Sequence, residues 1–154
     1  MKRSAGVLPY KNQDGRIMVY LERPGGPFWE GKDMWSICKG EYTKEKAIDA
    51  ALREFQEETG FSIVKEDLFF IGSEKQFATN KLITIFGIEK DFNPTKMSSN
   101  TFKKEWPPGT GIIQEFPEMA EGRWFYIEDA YKKIFKGQKK ILSKLLNIIN
   151  SDKA

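Results

Sequence analysis

The sequence predicts an α+β domain, and three observations carry that prediction. A tight Asp14-Gly15 turn separates two apolar runs, residues 44–59 repeat apolar positions at helical spacing, and Ile134, Ile141, Leu145 and Ile148 form a second helical stripe near the C-terminus. A chain of 154 residues and 17.8 kDa suits one core, so residues 1–154 are expected to form a single domain. At this size folding buries roughly two-thirds of the surface that the unfolded chain exposes, with no need of a disulfide or metal staple.

Residues 3–10 read as a strand, Asn12-Gln13-Asp14-Gly15 as a turn and residues 17–23 as the returning strand, because Asp-Gly between apolar runs favours a tight hairpin. Pro24-Gly25-Gly26-Pro27 ends it. Residues 34–38 predict a short strand that delivers Lys39-Gly40 to a loop. The clearest helix spans residues 44–59, where Ala47, Ile48, Ala51, Leu52 and Phe55 share a face and Gly60 takes the C-cap. Residues 68–77 and 81–89 predict two strands joined at Thr79-Asn80, and residues 123–127 another. Residues 91–122 hold four prolines and the aromatics Phe92, Phe102, Trp106 and Phe116 with little periodicity. They predict a long loop, either a surface excursion pinned by its aromatics or a cover over substrate.

Histidine is absent, which excludes Ser-His-Asp and Cys-His catalysis and every imidazole metal site. A single cysteine, Cys38, cannot form an internal disulfide and fits a reducing cytoplasm. No stretch approaches the roughly 18 apolar residues of a membrane span, and Met1-Lys2-Arg3-Ser4-Ala5-Gly6 lacks the apolar region of a signal peptide. Export and membrane insertion are therefore not expected. The net charge of +3 is too small to imply nucleic acid, yet it is unevenly spread: residues 131–154 hold seven Lys and one Asp, or +6, leaving −3 for residues 1–130. Lys132, Lys133, Lys136, Lys139, Lys140 and Lys144 read as the wet face of a packed helix, with anionic lipid or RNA as the minor alternative.

The most informative stretch is Arg53-Glu54-Phe55-Gln56-Glu57-Glu58-Thr59-Gly60-Phe61. Glu54, Glu57 and Glu58 stand at i, i+3 and i+4 and so share one helix face, where like charges repel unless something compensates them. A hard divalent cation, Mg²⁺ or Mn²⁺, accounts for the crowding. Arg53 is spaced to reach Asp49 one turn earlier and Glu57 one turn later, and so to hold a carboxylate in place.

Residues 40–61 resemble the signature box of the Nudix hydrolases. Residues 53–61 fit its second half completely, and Glu45 stands at the expected distance before Arg53, while Gly40 is one residue too close to Glu45. The resemblance extends to Gly25-Gly26-Pro27-Phe28-Trp29, Trp35-Ser36-Ile37-Cys38-Lys39-Gly40-Glu41-Tyr42, Ser99-Asn100-Thr101-Phe102, Glu105-Trp106-Pro107-Pro108 and Glu115-Phe116-Pro117-Glu118, similar to a bacterial nucleoside-triphosphate pyrophosphohydrolase subgroup in which proline is usual at the place of Cys38. It implies an α/β/α sandwich with a mixed sheet between helices, and a divalent-cation-dependent hydrolase that cleaves a nucleoside diphosphate linkage by water attack at phosphorus. It implies Glu54, Glu57 and Glu58 as metal ligands, completed by the carbonyl of Lys39 or Gly40, with Arg53 orienting a ligand. The proton acceptor is Glu57, Glu58 or a loop acid, for which Glu105, Glu115 and Glu118 are candidates and Glu118, just before a strand, the best placed. Lys39 is expected to contact phosphate or to be a solvated lysine. Trp35, Phe28 and Trp29 are candidates for base stacking, against the commoner packing role of aromatics.

The expected substrate is a dinucleoside polyphosphate such as diadenosine tetraphosphate. A modified nucleoside triphosphate, a nucleotide sugar, and a non-catalytic nucleotide-binding regulator of the same fold are the alternatives. The partner is thus a small nucleotide, with neither a stable nucleic-acid complex nor a membrane, and the protein a monomer or homodimer.

Overall fold

The two apolar runs around Asp14-Gly15 form the hairpin that the sequence predicts, β1 (Lys2–Gln13) and β2 (Arg16–Pro24). They pair antiparallel from Tyr10↔Val19 to Gln13↔Arg16, and both turn residues adopt positive φ, 54° at Asp14 and 83° at Gly15. That left-handed pair matches the strand twist, which is why an Asp-Gly turn suits this position. The computed structural model describes residues 1–97 and 100–152; Ser98, Ser99, Lys153 and Ala154 lie outside the described residues, Ser99 being one of the residues that carry the resemblance.

The third strand, β3 (Cys38–Tyr42), lies beyond the 34–38 segment expected for it. It pairs with the first half of β1, from Arg3↔Tyr42 to Val7↔Cys38, so Lys39 and Gly40 belong to a strand and not to a loop. Trp35 and Ser36 make only single bridges, to Ile134 and Glu22. The first helix, α1 (Ala47–Thr59), begins later than predicted, leaving Glu45 outside it. Strands β4 (Phe69–Gln76) and β5 (Lys81–Glu89) follow closely as read, with Asn80 at a positive φ of 49° in their turn.

Residues 91–122 are not one loop. They contain a two-stranded hairpin, β6 (Thr101–Glu105) and β7 (Ile113–Pro117), and the start of β8 (Met119–Tyr126). The hairpin is a separate small sheet whose residues are mostly exposed, with Phe102 against Phe116, so it carries no inward-facing apolar alternation to read. The C-terminal stripe is likewise two helices, α2 (Ile127–Lys133) and α3 (Lys139–Asp152). The break falls where the backbone pairs with Trp35: its N–H donates to the Lys133 carbonyl, and its carbonyl accepts from Phe135.

The main sheet runs β4-β5-β1-β2-β8 with β3 beside β1, mixed because β1 and β5 are parallel. Alternation along β2 explains the layering, since successive side chains point to opposite faces. Val19 and Leu21 enter one core with Leu8, Ile85, Ile141 and Leu145, roofed by α2 and α3. Tyr20 enters the other with Val7, Cys38, Ala50, Ala51 and Phe55, roofed by α1. The result is the α/β/α sandwich expected from the resemblance. Phe92 closes the second core: its ring meets Tyr20, Phe55, Phe61 and Trp124 at centroid distances of 5.0–6.0 Å, and its carbonyl accepts from the Trp124 indole. The lysines of α3 behave as the wet face of a packed helix, with Ile141, Leu142, Leu145 and Ile149 buried. Among the described residues no helix is long and apolar enough to cross a membrane.

Candidate active site

Helix α1 is two-sided. Ala50, Ala51, Phe55 and Thr59 are buried, while Glu54, Glu57 and Glu58 are half-buried beside them. The helix ends cleanly: Gly60 takes φ 76° and donates to the Gln56 carbonyl, and the Thr59 hydroxyl donates to the Phe55 carbonyl at 2.6 Å. A rigid, anchored helix end holds Glu58 at a cleft.

Arg53 organises the solvent side of this face. Its Nε and Nη2 engage the Glu45 carboxylate at 2.7–3.0 Å, and its Nη1 donates to Glu54 at 2.9 Å and Glu57 at 3.2 Å. The reach to Glu57 matches expectation. The reach to Asp49 does not occur, because Asp49 pairs with Lys65 at 3.1 Å. Hydrogen bonding to Arg53 holds the Glu45 carboxyl below the ordinary carboxylate range.

Glu54 is pressed against the backbone of Gly40. A Cβ at position 40 would fall 2.1 Å from Glu54 Cδ, so the absent side chain leaves the space that the carboxylate occupies. Burial raises the pKa of Glu54, and Arg53 opposes the shift. Glu58 is pushed up to about 8, by burial first and then by the charges of Glu22, Glu118, Glu54 and Glu57.

The cleft that Glu58 enters has a volume of about 1020 Å³. Glu58, Glu118, Glu22 and Lys39 line it together with Trp29, Phe77 and Phe135. Lys39 lines the cleft from β3, and burial followed by the charge of Lys81 lowers its pKa. Of the three loop acids only Glu118 lines the cleft. Glu105 and Glu115 lie in the β6/β7 hairpin, where Glu105 accepts from the Gly109 N–H and Glu115 from the Thr101 hydroxyl.

Trp35 is not a base-stacking surface. It is 1% exposed, packs edge-on to Phe125 at 4.8 Å and donates its indole N–H to Asp33 at 2.8 Å, so its role is packing. Trp29 reaches the cleft edge against Phe135, while Phe28 is exposed with the Lys32 ammonium 3.7 Å from its ring centroid. Sequence reasoning missed Phe77, 82% exposed on the cleft rim, and Glu22, 7% exposed. The signal for Glu22 was present, since an acid two residues after Tyr20 on an apolar strand falls on the same inward face.

Among the described residues no three His, Cys, Asp or Glu side chains stand close enough as placed to hold a metal ion. Arg53 draws Glu54 and Glu57 to one side, whereas Glu58 faces the cleft.

A family model for the NUDIX domain matches residues 1–145. No curated protein sequence matches the chain. Among solved structures, the C. elegans Ap4A hydrolase in a binary complex superposes with a TM-score of 0.66 at 19% identity, over 98% of this chain and 99% of that one. The NUDIX domain of Shewanella oneidensis NrtR complexed with ADP ribose gives 0.64 at 10% identity, over 96% and 87%. A MutT/nudix family protein from Enterococcus faecalis gives 0.59 at 17% identity, over 81% and 43%. At these identities the superpositions speak for the fold, and it is the match over residues 1–145 that decides membership: the chain belongs to the Nudix family of pyrophosphohydrolases.

Proposed function

We propose that the protein is a Mg²⁺- or Mn²⁺-dependent hydrolase of dinucleoside polyphosphates, of the diadenosine tetraphosphate type. The observation that carries this reading is one cleft of about 1020 Å³ that joins carboxylates, a lysine and several aromatics. That volume lies at the upper end of the usual small-molecule range, room for more than a mononucleotide. The resemblance of residues 40–61 and the fold shared with the C. elegans Ap4A hydrolase support it.

The donor set fits a hard cation. Carboxylates and a backbone carbonyl are the oxygen ligands that Mg²⁺ and Mn²⁺ prefer, and the Gly40 cradle brings Glu54 onto the backbone that would supply the carbonyl. Glu54, Glu57, Glu58 and the Gly40 carbonyl would hold the cation. When bound it would lower the pKa of a coordinated water and offset phosphate charge.

The remaining work falls to side chains of this chain. Lys39 contacts a phosphate oxygen from the cleft wall. Glu57, Glu58 or Glu118 accepts the proton of the attacking water at a carboxylate oxygen. Arg53 holds Glu54 and Glu57 in orientation from the solvent side. Phe77, Trp29 and Phe135 supply aromatic surface for a base in place of Trp35.

A second reading takes ADP-ribose-like substrates, favoured by the fold shared with the NrtR domain complexed with ADP ribose. Product analysis with Mg²⁺ on diadenosine tetraphosphate, nucleoside triphosphates and ADP-ribose separates them. Cleavage of the dinucleotide with the highest kcat/KM supports the first reading, preference for ADP-ribose supports the second, and thermal stabilisation by nucleotide without turnover of any would show a binding protein instead.

A further inference from the structure

Glu22 stands outside the signature helix, on β2, and is 7% exposed. Its backbone is locked to Ser36 by two hydrogen bonds of 2.8 Å, and Oε2 accepts the Tyr20 hydroxyl at 2.8 Å. The group that hydrogen-bonds its carboxylate, the Tyr20 hydroxyl, is neutral. Beyond the hydroxyl lie the Met97 and Met119 sulfurs, at 3.2 and 3.3 Å. Among the described residues no lysine or arginine forms an ion pair with Glu22. A carboxylate buried this far without a cation is costly, because neutral hydrogen bonds offset only part of its lost hydration. Yet it lines the same cleft as Glu58 and Glu118, so the deficit is exposed to whatever enters.

We propose that Glu22 is a fourth carboxylate of the divalent-cation site, strengthening the hold on the cation from strand β2 while the other three act from α1. The proposal rests on the reading that the cleft takes a divalent cation. Burial of an acid at the foot of such a site is otherwise a pure loss of stability. A cation drawn toward Glu58 would offset two like charges on different elements and tie β2 to α1.

The test is Mn²⁺ binding without substrate, followed by paramagnetic resonance of the free ion, on the full chain and its Glu22→Gln and Glu57→Gln variants. Melting temperatures with and without Mn²⁺ accompany it. Gln keeps the shape and an acceptor for Tyr20, and Glu22→Met is a second variant should the first not fold. The expected result is about tenfold weaker Mn²⁺ binding in Glu22→Gln, a metal-free melting temperature equal to or above that of the unmodified protein, and a smaller rise on adding Mn²⁺. Unchanged Mn²⁺ affinity in Glu22→Gln beside weakened affinity in Glu57→Gln overturns the proposal alone. A lower metal-free melting temperature with unchanged affinity assigns Glu22 a structural role and overturns it too. No Mn²⁺ uptake by the unmodified protein removes both this proposal and the cation site it rests on.

Discussion

The Glu54 carboxylate occupies the space in which Gly40 has no side chain: a methyl group there would stand 2.1 Å from Glu54 Cδ. Gly40→Ala must therefore displace Glu54, although β3 can accept alanine in its ladder. We expect a folded variant with at least tenfold weaker Mn²⁺ binding and turnover lowered about 10²-fold, checked by metal titration and steady-state kinetics. Unchanged metal affinity would show that the contact has no part in cation binding.

Glu57→Gln keeps the size of the side chain and removes its charge. Loss of a ligand or proton acceptor worth a few kcal/mol predicts turnover reduced about 10²-fold or more with folding retained. Near-normal turnover in a folded variant would take Glu57 out of the mechanism. Exhaustive chelation should abolish turnover of the unmodified protein, and Mg²⁺ should restore it.

Metal-free stability should fall as pH rises. Burial holds Glu22 up to about 7 and Glu58 up to about 8, against an ordinary value of 4.5. For a carboxyl raised in the folded state, the associated stability is complete below the unfolded-state value and is lost as pH climbs through the folded one. Melting temperature without metal should therefore decline between about pH 4.5 and 8, and less so in Glu58→Gln. Glu45, lowered by Arg53, acts in the opposite sense and only at acid pH. A rising melting curve across the neutral range would contradict the placement of these acids.

Trp35→Ala and Phe77→Ala should part company. Removing the buried Trp35 is expected to cost about 3–5 kcal/mol of stability, read by denaturant unfolding. Phe77 is 82% exposed, so its loss should leave stability within about 0.5 kcal/mol. If it stacks a base, KM should rise about tenfold with kcat little changed, stacking being worth roughly 1–3 kcal/mol per base. An unaltered KM would remove Phe77 from substrate binding.

Much of this arrangement was legible because it is local. The turn at Asp14-Gly15, the strand at β5 and the end of α1 at Gly60 each follow from neighbouring residues, as does the carboxylate face at positions 54, 57 and 58. What escaped depends on distant contacts. Trp35 can be read as stacking or packing until Phe125 and Asp33 are seen around it, and Arg53 takes Glu45 where helical spacing favours Asp49, because Lys65 arrives to claim that acid. The break between α2 and α3 is set by backbone pairing to Trp35, 100 residues away for Phe135, and Gly137 is the one local sign of it. For Glu22 the spacing from Tyr20 gives the inward face, but the cleft and the acids it shares there come from distant segments.

Phe92 touches rings from the acid-bearing helix, from the strand that carries Glu22 and from the strand that follows Glu118. Three surfaces of the cleft thus lean on one buttress that holds no charge of its own. Damage there would surface as a kinetic defect at a distance, with every ionisable group still in the sequence and none of them quite in register.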